Sequence, residues 1–352
     1  MATACREPTG GGNDAPFAIE TAFSFPSLAP NDFIVAFDFD AEGALWVATF
    51  EGAIIRVRNS QRTEFQAPSV LGFTPIPGIA QIEDLFIDAA GRPWVTGGRS
   101  IAVFDNGAWS VQGPPDTFGL APRTDAIAVN QIGDILLSVG NVDAGGLLWR
   151  HNGQWTSITP KNSILPSPIV RDIEVGPDGS FWVASAMFQG RGGLIRIANG
   201  NVTVVANEQT GLLYNWIDDI DIGGGRVWLG FDVMLYDEPG YPDGGMQDLP
   251  ISGGTLTTRF PFESELSSNR VRSLAWSSAG ELWFTTSLDH DSVCQTCVSS
   301  IGMLDASGRF HMVSNLNYDI AVNEFLPTIR EGPDGAIYIA RADIDEIVRV
   351  VR

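Results

Sequence analysis

Lysine is almost missing from this chain. Lys161 is the only one among 352 residues, and the other basic side chains are all arginine, 21 in total against 42 acidic residues, for a formal net charge of −21. So acidic a chain offers no clustered cationic face for phosphates, which excludes nucleic acid as a partner and excludes docking on anionic lipid through a basic patch. Histidine is scarce, with His151, His290 and His311 the full set, and none stands in a triad or metal motif. No Gly-x-Ser-x-Gly elbow, phosphate loop or dinucleotide fingerprint occurs in a strand–helix context. No run of about 18 apolar residues is present to form a membrane-spanning helix. The composition, 44% hydrophobic and 18% charged, excludes a disordered chain.

Glycine is abundant, at 39 residues, and it is spaced. A glycine followed at the third position by tryptophan or another bulky residue recurs as Gly43…Trp46, Gly91…Trp94, Gly133…Leu136, Gly179…Trp182, Gly225…Trp228, Gly280…Trp283 and Gly335…Tyr338. The glycines lie 48, 42, 46, 46, 55 and 55 residues apart, each after an apolar-rich strand and before two or three more. Length alone suggests two domains of about 150 residues each. A period of about 40–50 residues with four short strands instead predicts one all-β domain, a seven-bladed β-propeller over residues 17–352. The turn glycines supply the positive φ of a tight hairpin, and the bulky residue packs between blades. After Tyr338 the chain has room for strands b and c of the last blade, but not d. Phe17–Phe25 is otherwise unpartnered and is expected to supply it, so that the N-terminal strand closes the ring.

The copies Ser267–Thr286 and Leu165–Ala184, the latter followed by Gly192-Gly-Leu-Ile-Arg196, resemble the two-component-regulator propeller repeats of bacterial extracytoplasmic sensor regions. The resemblance covers about residues 30–350. It implies a sensor-like binding propeller, while its motifs specify blade structure and no chemistry.

Residues 1–16 read as a flexible tether. Within them Ala2-Thr-Ala-Cys5 is similar to the end of a bacterial lipoprotein signal, departing at Ala2 where leucine is preferred. That implies lipidation of Cys5 and an extracytoplasmic, lipid-anchored protein; the alternative is a chance cysteine in a plain N-terminus. Cys294-Gln-Thr-Cys297 falls between strands b and c of blade six rather than before a helix. A loop disulfide is expected there, with metal binding as the alternative.

Two regions are candidates for ligand contact. The b–c loops are uneven: tight in blades one and two, but long in blades four, five and six, where Met187, Phe188, Tyr236 and Tyr241 could form an apolar or sugar-stacking surface or pack only on one another. The inner strands are acidic. Fourteen positions expected to line the axial channel hold six carboxylates against one arginine, Arg330. The ligand-binding set read from the sequence is Asp84, Asp172, Glu174, Asp219 and Asp221 with Arg171, Arg272, Trp216, Tyr236 and Tyr241. Asp172, Asp219 and Asp221 suit calcium, which takes six to eight oxygen ligands; a water-filled polar channel is the other reading. The expectation is therefore a monomeric, non-enzymatic propeller holding a small molecule, glycan or protein partner on its loop face. The alternative is a carbohydrate-active hydrolase or lyase that uses the channel carboxylates.

Overall fold

Each repeat folds as four antiparallel strands, a to d. The computed structural model describes residues 17–26, 28, 32–72, 82–98, 100–114, 118, 120, 124–140, 143–186, 192–231, 244–260, 269–286, 299–316, 328–341 and 345–351. Blade one is Ile34–Phe39, Leu45–Thr49, Ala53–Arg58 and Gln61–Gln66, and blade two is Asp84–Ile87, Pro93–Gly97, Ser100–Asp105 and Ala108–Val111. Blade three is Thr124–Val129, Ile135–Val139, Gly146–His151 and Gln154–Ile158. Blade four is Val170–Val175, Phe181–Ser185, Gly193–Ala198 and Asn201–Ala206. Blade five is Asp219–Gly223, Arg226–Phe231, Gly245–Pro250 and Thr257–Arg259, and blade six is Val271–Trp276, Leu282–Thr286, Ser299–Leu304 and Phe310–Leu316. Blade seven takes Ile329–Glu331, Ile337–Arg341 and Glu346–Val351 from the C-terminal part, and Ala18–Ser24 as its strand d. The fold is the expected seven-bladed β-propeller. Blades one to four belong to one compact unit, Phe25–Trp216, and blades five to seven to a second.

Burial explains the strand sequences. Every residue of strand b is buried in blades one to four and six, because both faces of that strand are covered by protein. Such strands read as near-continuous apolar runs rather than alternating ones. Strand d of blade one, Gln61–Gln66, is exposed at five of its six positions and is correspondingly polar. The repeated bulky residues are buried as expected, from Trp46 at 0% exposure to Tyr338 at 8%. Trp94, Leu136, Trp228 and Trp283 belong to cores shared by neighbouring blades, such as Leu136, Ile173, Phe181 and Val183 between blades three and four, or Trp283, Ile329, Ile337 and Val350 between six and seven.

Turn chemistry fixes the hairpins. The seven a–b glycines all have φ between 74° and 84°, a region that costs an L-residue strain. The c–d turns of blades two, three and four are Asn106-Gly107, Asn152-Gly153 and Asn199-Gly200, with both residues at positive φ, the sequence and geometry of a type I′ hairpin.

Candidate functional site

Strand a has a ladder partner on one side only, strand b, so a row of its main-chain N–H groups faces away from its own sheet. Unpaired N–H groups need acceptors, and the inner-strand carboxylates provide them. Asp38 accepts from its neighbour Phe39 N at 2.7 Å through Oδ1, and from Ile87 N of blade two at 3.0 Å through Oδ2. Blade five repeats the device twice. Asp219 Oδ2 accepts from Leu274 N of blade six at 2.5 Å. Asp221 Oδ2 accepts from Trp276 N of the same strand, while its Oδ1 accepts from Ile222 N at 2.6 Å. Asp172 Oδ1 takes Ile173 N at 2.8 Å. Much of the inner-strand acidity is therefore a set of clasps from one blade to the next.

The remaining expected residues occupy these same strands or their approaches. Asp84 and Glu174 are half-buried on strand a of blades two and four. Arg171 and Arg272 fall where strands a and b of blades four and six slip register, between Val170 and Asp172 and between Val271 and Ser273. Trp216 is half-buried just before strand a of blade five. Asp84, Asp172 and Glu174 thus belong to one compact unit, and Asp219 and Asp221 to the other. Among the described residues, no group of three or more Asp, Glu, His or Cys side chains is placed to hold a metal ion. Cys5, Tyr236, Tyr241, Met187, Phe188, His290, Cys294 and Cys297 lie outside the described residues. The strands that bracket the long loops are described. Strand b ends at Ser185, Phe231 and Thr286, and strand c resumes at Gly193, Gly245 and Ser299, so all three insertions fall between b and c.

At the opposite end of the blades the a–b turns carry a second recurring arrangement, one that the sequence reading missed. An Asp three residues before the turn glycine accepts two main-chain N–H groups and the indole N–H of the buried tryptophan. Asp40 takes Glu42 N, Ala44 N and Trp46 Nε1 at 3.0, 2.8 and 2.8 Å. Asp88 takes Ala90 N, Arg92 N and Trp94 Nε1 at 3.0, 2.9 and 2.9 Å. Burial opposes ionisation of Asp88, but hydrogen bonds from Arg92 and Trp94 outweigh it and hold the carboxyl below the usual range. An arginine on strand c covers the ring in blades one and four, Arg56 over Trp46 at 5.2 Å and Arg196 over Trp182 at 5.6 Å. Both described histidines brace hairpin turns at this end. His151 Nδ1 meets Asp134 of the a–b turn of blade three at 2.7 Å, and His311 Nε2 meets Asp305 of the c–d turn of blade six at 2.6 Å. Asp305 is held well below the usual carboxylate range by the Ser307 hydroxyl and His311. The signal for this array was present as a six-residue spacing from Asp to Trp, repeated in Asp40…Trp46 and Asp88…Trp94.

No family model matches the sequence, and no curated protein sequence matches it. Solved structures do match. Virginiamycin B lyase from Staphylococcus aureus shares 16% identity at a TM-score of 0.66, over 96% of this chain and 99% of that one. The extracellular domain of a hybrid two-component system protein of B. thetaiotaomicron shares 15% identity at 0.66, over 94% of this chain and 40% of that one. PorZ, a bacterial surface component of the type-IX secretion system of Porphyromonas gingivalis, shares 14% identity at 0.60, over 94% of this chain and 47% of that one. At these identities the likeness is one of fold, and the resemblance to two-component-regulator propellers agrees with it.

Proposed function

We propose that the protein is an extracytoplasmic binding or sensor-like propeller, lipid-anchored through Cys5, which holds a small molecule, glycan or protein partner at the end bearing the b–c loops. The observation that carries this reading is the employment of the inner-strand carboxylates. A glycosidase needs one carboxyl that can protonate a leaving group. Asp221 has both oxygens, and Asp219 one, occupied by main-chain N–H groups, and moving them to bind a proton or a substrate would loosen blade five from blade six. The same commitment disfavours calcium on Asp219 and Asp221, because a cation would compete with those donors for the same oxygens. The insertions between strands b and c of blades five and six stand on short, fully paired strands, the usual setting for binding loops. The fold shared with extracellular domains and a surface component supports the compartment.

The rival reading, a hydrolase or lyase, draws its support from the fold shared with virginiamycin B lyase. A thermal-shift screen against calcium, oligosaccharides and peptides, run beside an oligosaccharide-cleavage assay, separates the two. The binding reading expects a ligand-dependent rise in Tm without turnover. Cleavage abolished by Asp172→Asn or Asp219→Asn in folded protein would overturn it.

A further inference from the structure

On strand c, the residue opposite the buried Trp or Tyr is arginine in blades one, four and seven: Arg56 faces Trp46, Arg196 faces Trp182 and Arg349 faces Tyr338. Each pairs with carboxylates of its own a–b turn, Asp40 and Glu42, Asp178, and Asp334. Blade five reverses this order. Asp248 stands opposite Trp228, fully buried, and the turn itself, Gly224-Gly225, offers no side chain. Arginines take the outer places. Arg226 Nε donates to Asp248 Oδ1, and Arg259 Nε donates to Oδ2 at 2.8 Å. Their side chains stay 30% and 26% exposed over a carboxylate at 0%.

The charge balance differs as well. Arg56 and Arg58 meet Asp40 and Glu42, Arg92 meets Asp88, Arg196 meets Asp178, and Arg349 meets both Asp334 and Glu20. Those groups are neutral or negative. In blade five two guanidiniums share one carboxylate, and among the described residues neither pairs with a second. The group keeps one net positive charge on a chain of −21. Arg226, Asp248 and Arg259 lie on the face that carries Trp228 and Met246 into the core shared with blade six. Arg259 covers Trp228 at 5.7 Å, and its Nη1 lies 3.5 Å from where a Cβ on Gly308 would stand, in the c–d turn of blade six. That turn adds exposed Arg309 and also Asp305, whose carboxylate is taken by the Ser307 hydroxyl and His311. The excess stays at one.

We propose that Arg226 and Arg259 form a binding site for a single carboxylate group where blade five meets blade six, distinct from the b–c loops and the inner strands. Asp248 holds both guanidiniums from beneath through Nε, so their terminal amino edges remain to grip an oxyanion with paired N–H groups. Two long side chains have already given up their rotamer freedom before the ligand arrives, which lowers the entropy that binding costs. One net positive charge suits a monoanion. A phosphate dianion would leave negative charge uncompensated against a chain that already repels it.

The test is nitrogen–proton NMR of the arginine side chains in the whole chain, titrated with acetate at constant ionic strength, with sulfate and inorganic phosphate as divalent probes. Acetate is expected to shift the Arg226 and Arg259 signals saturably, while Arg92 and Arg196, each in a one-to-one pair, stay in place. Arg259→Gln should weaken acetate about tenfold or more, the loss of one charge-assisted contact. Arg226→Lys, which keeps the charge and loses the fork, should weaken it too. Tm is read beside both variants, and should either fold poorly, the comparison of four arginines within the unmodified protein still decides. Methyl glucuronide and N-acetylglycine present the same carboxylate on a sugar and on a peptide unit, and binding of either at these two arginines supports the site and names the source. The proposal is overturned if acetate moves all four arginines alike or none of them. It is equally overturned if folded Arg259→Gln binds acetate as tightly as the parent, or if only sulfate or phosphate binds.

Discussion

Asp221 shows how a residue that looks like a ligand can be a fastener. It satisfies the outward-facing N–H of Trp276, and removing the acceptor leaves a main-chain donor without a partner near the axis. Asp221→Ala should lower stability by about 1–3 kcal/mol in urea unfolding, the cost of a half-buried unmade hydrogen bond. Asp221→Asn should fall between, since its amide keeps one acceptor and turns a donor toward another donor. Asp88 makes a pH-dependent prediction. Its pKa is lower in the folded protein than the ordinary 3.8, so its stabilisation is fully present above that value and is lost as pH falls through the folded-state value. The Tm gap between the parent and Asp88→Asn should therefore be constant above about pH 5 and close progressively below about pH 4. A gap that persists unchanged to pH 2 would mean the site stabilises by packing rather than by charge.

At the scale of elements, blade seven is the informative one. Its strand d, Ala18–Ser24, pairs with Glu346–Val351 from Ala18↔Val351 to Ser24↔Glu346, with a bulge between Thr21 and Phe23. Deleting residues 17–24 leaves Glu346–Val351 as a bare edge beside an apolar core, and dimers or aggregates should follow in size-exclusion chromatography. Gly223 marks another constraint. A Cβ there would fall inside the ring of Trp276, which stacks on Trp228 at 5.7 Å. Gly223→Ala should cost about 1–3 kcal/mol by overpacking, and Trp276→Leu should recover part of it. Strands, blade count and closure were legible because they follow from period, turn glycines and a leftover strand, all local in sequence. The clasps were not. Asp219 and Leu274 lie 55 residues apart, and an acid facing an axis reads the same whether it holds a cation or a backbone amide.

For the molecule as a whole, the charge of −21 divides into acids that fasten blades, acids that order turns and an exposed remainder. Only the last is free to set long-range repulsion and solubility. Ala18 and Val351 lie side by side at the a–b turn end of blade seven, about 5 Å apart in an antiparallel ladder. A circular permutant that joins 351 to 17 through a short linker and opens the Asn152-Gly153 turn should keep its Tm within about 5 °C, because no buried backbone is cut. A markedly lower Tm would assign that turn a role in folding. The shared sheet also decides how the protein answers to force. Tension applied between Ala18 and Val351 would peel the strands one rung at a time, not shear the whole ladder at once. Hung from one end alone, the same sheet bears no load across that seam. A domain fastened in this way is robust as a pendant and weak as a link in a chain.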